Sequence, residues 1–300
     1  MARVGLVLGG GGIPGEAFHR GVLRALLDTA DWDARTADRI VGTSAGSLVA
    51  ASLRQPATTD GLLDEGITEG GRFLPGLGAV AAAAFRPWRA RPGVLASSFM
   101  PAGRRSTDWI VEGVRRRYGG FWAEDPLWVC AVRCDNGQRV VFGRDEAPAT
   151  TVASAVAASC AIPGYFRPVV IDDVAYVDGG AHSPTNADVL ADEGLDVVLV
   201  SSPMSVVPTG VRPKVDLSAR LFFHRYVTRE LAAVRRGGAM TLAFEPGASG
   251  LRAISINALN ASRVDVVEEL AYQSACRQLE RPHLRPLRDL LASTPDERSA

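Results

Sequence analysis

Apolar residues fall into two kinds of run along this chain. The short, unbroken ones, RVGLVL at 3–8, RIVG at 39–42 and DVVLVS at 196–201, have the length and branched content of strands buried on both faces. After the first of them the apolar positions return every three or four residues: Phe18, Val22, Ala25, Leu26 and Leu27 predict a helix over about 16–28, and a second helical run covers about 45–53. Strand, helix, strand, helix is a βαβ unit, whose right-handed crossover sets its strands side by side and parallel. The loops that follow them, 9–15 and 42–46, are therefore expected on one edge of the sheet, where α/β folds place their sites.

Further on, runs at 127–133 and 138–142 flank Asp135-Asn136-Gly137, a hairpin turn. An alanine-rich helix is predicted at 151–159, followed by a Cys-Ala-Ile-Pro-Gly loop and two short strands about Asp172-Asp173 that end at Asp178-Gly179-Gly180. A long amphipathic helix over 217–236, a strand at 241–244 and a helix at 262–279 complete the pattern. Residues 55–107 break it, with Gly, Pro and Ala clusters among Phe73, Leu74, Leu77, Phe85, Trp88, Leu95 and Phe99, and read as a partly helical cap or lid. The expectation is one α/β domain over 1–300, with core motifs at 4–205, the cap at 55–107, C-terminal helices at about 216–280, and no internal repeat.

Composition narrows the function classes. With 300 residues, 47% hydrophobic, the chain can bury a large core. Its 33 basic and 33 acidic residues cancel, and the arginines are scattered, which argues against a nucleic-acid protein. Cys130, Cys134, Cys160 and Cys276 show neither CxxC spacing nor a paired framework and read as small, mostly buried thiols. The opening apolar stretch at 4–8 is too short for a secretion signal, and no window is long enough to span a bilayer. A cytoplasmic protein is expected, with any membrane contact peripheral.

Gly42-Thr43-Ser44-Ala45-Gly46 is a GxSxG sequence at a strand-to-helix junction, where a sharp turn exposes the serine hydroxyl and the helix N-terminus favours developing negative charge. Gly9-Gly10-Gly11-Gly12 offers consecutive amides without side chains beside it. The same stretch, Gly10-x-Gly12-x-x-Gly15, also matches a dinucleotide loop. That reading requires an acidic residue at the end of the second strand, where Ile40-Val41 instead runs into Gly42-Thr43-Ser44. As base for the serine, His19, His224 and His283 each read as surface or boundary histidines, and two strands before the nucleophile are too few for an α/β-hydrolase triad. Asp178 ends a strand and is followed by two glycines that let the chain turn around its carboxylate. To serve as base it must be partly desolvated and close to Ser44.

Together, Leu8-Gly9-Gly10-Gly11-Gly12 with Gly15 and Gly21-Val22-Leu23, Gly42-Thr43-Ser44-Ala45-Gly46, Ala158-Ser159-Cys160-Ala161-Ile162-Pro163-Gly164, and Tyr176-Val177-Asp178-Gly179-Gly180 with Ser183-Pro184-Thr185-Asn186 resemble the patatin-like phospholipases. The resemblance implies a three-layer α/β/α fold with a mainly parallel central sheet, and hydrolysis of fatty-acyl esters of phospholipids or related lipids by a Ser-Asp dyad. Carried over, Ser44 is nucleophile, Asp178 general base, and the backbone of Gly10, Gly11 and Gly12 the oxyanion hole. No metal or cofactor is implied. Pro14 stands where the family commonly has Arg or Lys, so help from that cation is not expected.

The same residues would serve acyl transfer to another acceptor or thioester hydrolysis, and a silent lipid-binding protein is the rival from outside enzymology. Residues 74–99 and the helix bearing Leu221, Phe222, Phe223 and Val227 are candidates for an acyl groove or interfacial surface, against the alternative of core packing.

Overall fold

The computed structural model of the chain describes residues 2–54, 103–119, 121–208, 217–254 and 259–293. Most of the expected cap, including Phe73 to Phe99, lies outside them. Among the described residues eight strands form one sheet: β1 (Val4–Leu8), β2 (Arg39–Thr43), β3 (Leu127–Arg133), β4 (Arg139–Phe142), β5 (Val169–Ile171), β6 (Val174–Asp178), β7 (Val197–Ser201) and β8 (Met240–Phe244). The helices are α1 (Gly12–Ala30), α2 (Ala45–Arg54), α3 (Asp108–Tyr118), α4 (Val152–Ser159), α5 (Leu217–Arg236), α6 (Ala248–Ala253), α7 (Val264–Leu279) and α8 (Arg285–Ala292).

The strand order is β5-β6-β3-β2-β1-β7-β8, with β4 paired to β3. β3, β2, β1, β7 and β8 run parallel, and β4, β5 and β6 are antiparallel additions at one side. Helices cover both faces, and the alternation of side chains along the strands shows how. Val4, Leu6 and Leu8 of β1, with Val197 and Leu199 of β7, face the core beneath α1, α2 and α7. Val7, Val198 and Val200 face the opposite one, beneath Val227, Leu231 and Val234 of α5. The result is a three-layer α/β/α sandwich.

β3 has a special place in this sheet. Along one edge it pairs with β4 over Val129 to Val132. Along the other it pairs with two strands in tandem: Ile40 to Thr43 of β2 lie against Leu127 to Cys130, and Tyr176 to Asp178 of β6 against Ala131 to Arg133. β2 is parallel to β3 and β6 antiparallel, so the C-terminal ends of β2 and β6 meet head-on. Thr43 is registered with Cys130 and Asp178 with the next residue, Ala131.

The structure amends the sequence reading in two places and bears it out at a third. α1 starts at Gly12, so half of the expected loop is helix and Pro14 sits in its first turn, where the missing N–H leaves no bond unmade. α3, α6 and α8 were not expected, although Ile110, Val114 and Tyr118 of α3 keep a four-residue spacing and are all buried. The turn at Asp172-Asp173 has positive φ at both residues (46° and 60°), which suits the tight β5-β6 hairpin.

Candidate active site

Ser44 occupies a backbone conformation that side chains seldom adopt, with φ at 52°. Its surroundings hold it there. Its N–H donates to Ser159 Oγ at 2.9 Å, Ser159 Oγ in turn donates to the Cys130 carbonyl of β3 at 2.7 Å, and the Ser44 carbonyl accepts from Ser47 N at 2.8 Å and Ser47 Oγ at 2.6 Å. Gly46 allows the start of α2 to press against β1: a Cβ there would stand 2.0 Å from the Leu8 carbonyl oxygen and 2.7 Å from that of Gly9. This close approach sets the serine beside the glycine loop, and a Cβ on Gly10 would lie 3.4 Å from Ser44 Cβ.

Asp178 faces the serine from the end of β6. Its residue is only 5% exposed, and its Oδ1 accepts from Gly180 N at 2.7 Å as the chain turns through Gly179 and Gly180. Burial pushes its carboxyl up to about 6, while the Ser44 hydroxyl and the Gly180 amide pull it the other way. Both residues expected to form the dyad are thus brought together, buried where the ends of β2 and β6 meet.

The glycine loop divides its expected labour. Gly10 N, expected as an oxyanion donor, donates to the Pro184 carbonyl at 2.8 Å in this structure, and its lack of a side chain leaves space beside Ser44. Gly11 and Gly12 lie at the N-terminus of α1, where the first amides have no intrahelical acceptor. The expectation that His19 is a surface or boundary histidine is also overturned, since it is fully buried. His19 Nε2 donates to the Gly9 carbonyl at 2.7 Å, leaving Nδ1 to accept from Ser201 Oγ at 2.7 Å. Burial lowers its pKa to about 4, so the ring is neutral and keeps this tautomer at physiological pH. It clamps the start of the loop to the end of β7.

A second set of polar side chains ties the two strand ends together. Asn186, itself at φ 55°, donates through Nδ2 to Thr43 Oγ1 at 3.1 Å and to the Ser183 carbonyl at 2.9 Å. Glu230 of α5, buried, accepts from Ala187 N at 2.9 Å and from Thr185 Oγ1, and its carboxyl is raised by burial and then by Asp188. Of the other histidines, His224 pairs with Glu245 through Nδ1 at 2.9 Å and His283 is exposed, neither near the serine by contact. Pro14 borders a cavity of about 230 Å³ whose lining includes Arg252 and Arg263, so positive charge approaches this end of α1 from the C-terminal segment.

The patatin-like phospholipase family model matches residues 6–191, more than half of the chain. A comparison with curated proteins finds no match. Among solved structures, VipD from Legionella pneumophila is similar at a TM-score of 0.45 and 14% identity, over 98% of this chain and 67% of that one. With the glycine loop, the Ser44 turn and the Asp178 turn all inside the matched region, the chain belongs to the patatin-like phospholipase family.

Proposed function

We propose that this member of a lipid acyl hydrolase family cleaves fatty-acyl esters through a Ser44-Asp178 dyad and an acyl-enzyme. The observation that carries the reading is the head-on meeting of β2 and β6, which aims a serine on a strained turn at a desolvated carboxylate. A carboxyl of pKa about 6 is ionised over most of its population at neutral pH, yet is a far stronger base than an exposed aspartate.

Asp178 takes the Ser44 proton as Oγ attacks the ester carbonyl, and the carbonyl π electrons move onto oxygen. The amides of Gly11 and Gly12, at the positive end of α1, receive that oxyanion. Collapse of the intermediate expels the alcohol, which leaves with the proton held by Asp178, and the acyl group stays on Ser44. Asp178 then deprotonates water; attack on the acyl-enzyme releases the fatty acid and returns the proton to Ser44. His19, Ser159 and Asn186 touch no reacting atom and act as positioning residues.

The test is labelling with a fluorophosphonate probe followed by peptide mass mapping. Modification confined to Ser44, absent in Ser44→Ala, is the expected result. Folded protein that takes up no label but binds lipid would replace this reading with that of a silent lipid-binding protein.

A further inference from the structure

We infer that the outer face of α5 is a docking surface for an anionic lipid bilayer. α5 buries Val227, Glu230, Leu231 and Val234 against the sheet. Its outward residues include Phe222, Arg225, Arg229 and Arg236, at intervals of three, four and seven that place them on one stripe. Phe222 is 39% exposed and leads an aromatic cluster, edge-on to Tyr226 at 5.0 Å and tilted against Phe223 at 6.0 Å.

The charge on this face is what identifies the partner. Several arginines elsewhere, Arg20, Arg24, Arg115, Arg133 and Arg139, each hold a carboxylate. Among the described residues no carboxylate pairs with Arg225, Arg229 or Arg236, and the sole acid of the helix, Glu230, is turned inward to Thr185 and Ala187. A chain of zero formal net charge thus places unpaired positive charge around the exposed Phe222 ring, with Phe223 and Tyr226 half-buried beside it. Rings that enter the headgroup boundary beside guanidinium groups that meet lipid phosphates are the features of an interfacial helix. No helix among the described residues is long and apolar enough to cross a membrane, so contact of this kind lies in the interface plane.

The location suits delivery of a lipid. Arg220, on the first turn of α5, donates to the Pro203 carbonyl at 3.1 Å, and the Pro203 ring lies 2.7 Å from where a Cβ on Gly11 would stand. The first turn of α5, through its buried side, therefore lies beside the glycine loop. The docking surface stands on its own observations, whatever reaction Ser44 performs.

The experiment is co-sedimentation with vesicles. Wild-type protein is expected to pellet with mixed phosphatidylglycerol and phosphatidylcholine vesicles at low salt, to be released by salt, and to stay in solution with phosphatidylcholine alone. The triple variant Phe222→Ser, Arg225→Gln, Arg229→Gln should partition about thirtyfold more weakly. Its melting temperature and its hydrolysis of a soluble p-nitrophenyl ester should not change. Should the triple variant fold poorly, Arg225→Glu at an exposed position must weaken binding in the same direction. Equal pelleting of wild type and variant overturns the inference, as does a wild type that ignores anionic vesicles or uses this face only to self-associate. Protein that pellets but hydrolyses neither soluble ester nor vesicle lipid leaves the docking surface standing and removes the dyad reading.

Discussion

Ser44, just past β2, and Asp178, at the end of β6, are buried to nearly the same degree at 6% and 5% exposure and are unfavourable in opposite ways. The serine's burden is in its backbone, at φ 52°, with its amide and carbonyl both hydrogen-bonded. The aspartate's backbone is relaxed, at φ −47°, and its burden is a charge taken out of water. The contrast teaches that the two residues of the proposed dyad carry independent strains, one steric and one electrostatic, each removable by its own substitution.

Removing the charge should have the largest effect. Asp178→Asn is expected to lower kcat by about a thousandfold or more, as loss of a general base does. The same change should stabilise the fold. A carboxyl raised from 3.8 to about 6 on folding favours the native state fully below 3.8 and loses that contribution as pH rises through 6. An amide at this position therefore gains on the order of 2–3 kcal/mol at pH 8. Thermal melts of both proteins at pH 8 check it: an unchanged or lower melting temperature would show that Asp178 is not electrostatically strained.

Next is the loop opposite the dyad. His19→Leu leaves the Gly9 carbonyl without its donor, a loss of about 1–3 kcal/mol, and should reduce kcat by ten- to a hundredfold with KM little altered. His19→Gln, which can donate again, should recover most of it, and steady-state kinetics on a soluble ester tell the two apart. Because its folded pKa falls from 6.5 to about 4, His19 contributes stability fully above pH 6.5 and loses it as pH drops toward 4. That is the reverse of the Asp178 dependence, and wild-type melts across this range should show the two trends opposing one another.

The pH-rate profile is a gentler probe. kcat/KM should climb about tenfold per unit on the acid side and level off above an apparent pKa of about 6, set by ionisation of Asp178. A midpoint near 4 would place the carboxylate in water. Smallest is the steric term: Ser44→Gly should be more stable than Ser44→Ala by about 1 kcal/mol, both being inactive, since only glycine adopts a positive φ freely. Equal denaturation midpoints would remove backbone strain from the comparison.

What the sequence disclosed was local. The unbroken apolar runs that make β1 and β2, the GxSxG turn, the Asp172-Asp173 hairpin and the span of α5 are each written within consecutive residues. What it hid depends on partners far along the chain. His19 reads as polar beside Arg20, and only Ser201, 182 positions away, and the tightly folded Gly9 make it a buried clamp. Ser159 appeared as part of a motif without a role, because the amide it accepts from is 115 positions upstream. The engagement of Gly10 with Pro184 likewise follows from how the segment after β6 folds back over β1, which no spacing predicts. α1 reaches back to Gly12 against glycine's weak helix propensity because tertiary packing around Gly11 and Gly15, including the Pro203 ring, closes over its first turn.

The tandem pairing along β3 makes that strand a splint. Ser44 follows the residue registered to Cys130 and Asp178 is itself registered to Ala131, so one strand holds the proposed nucleophile and base in place together. Lipids of different shape can then be accommodated by remodelling whatever lies above this edge, while the chemistry keeps its alignment from seven residues of a single strand.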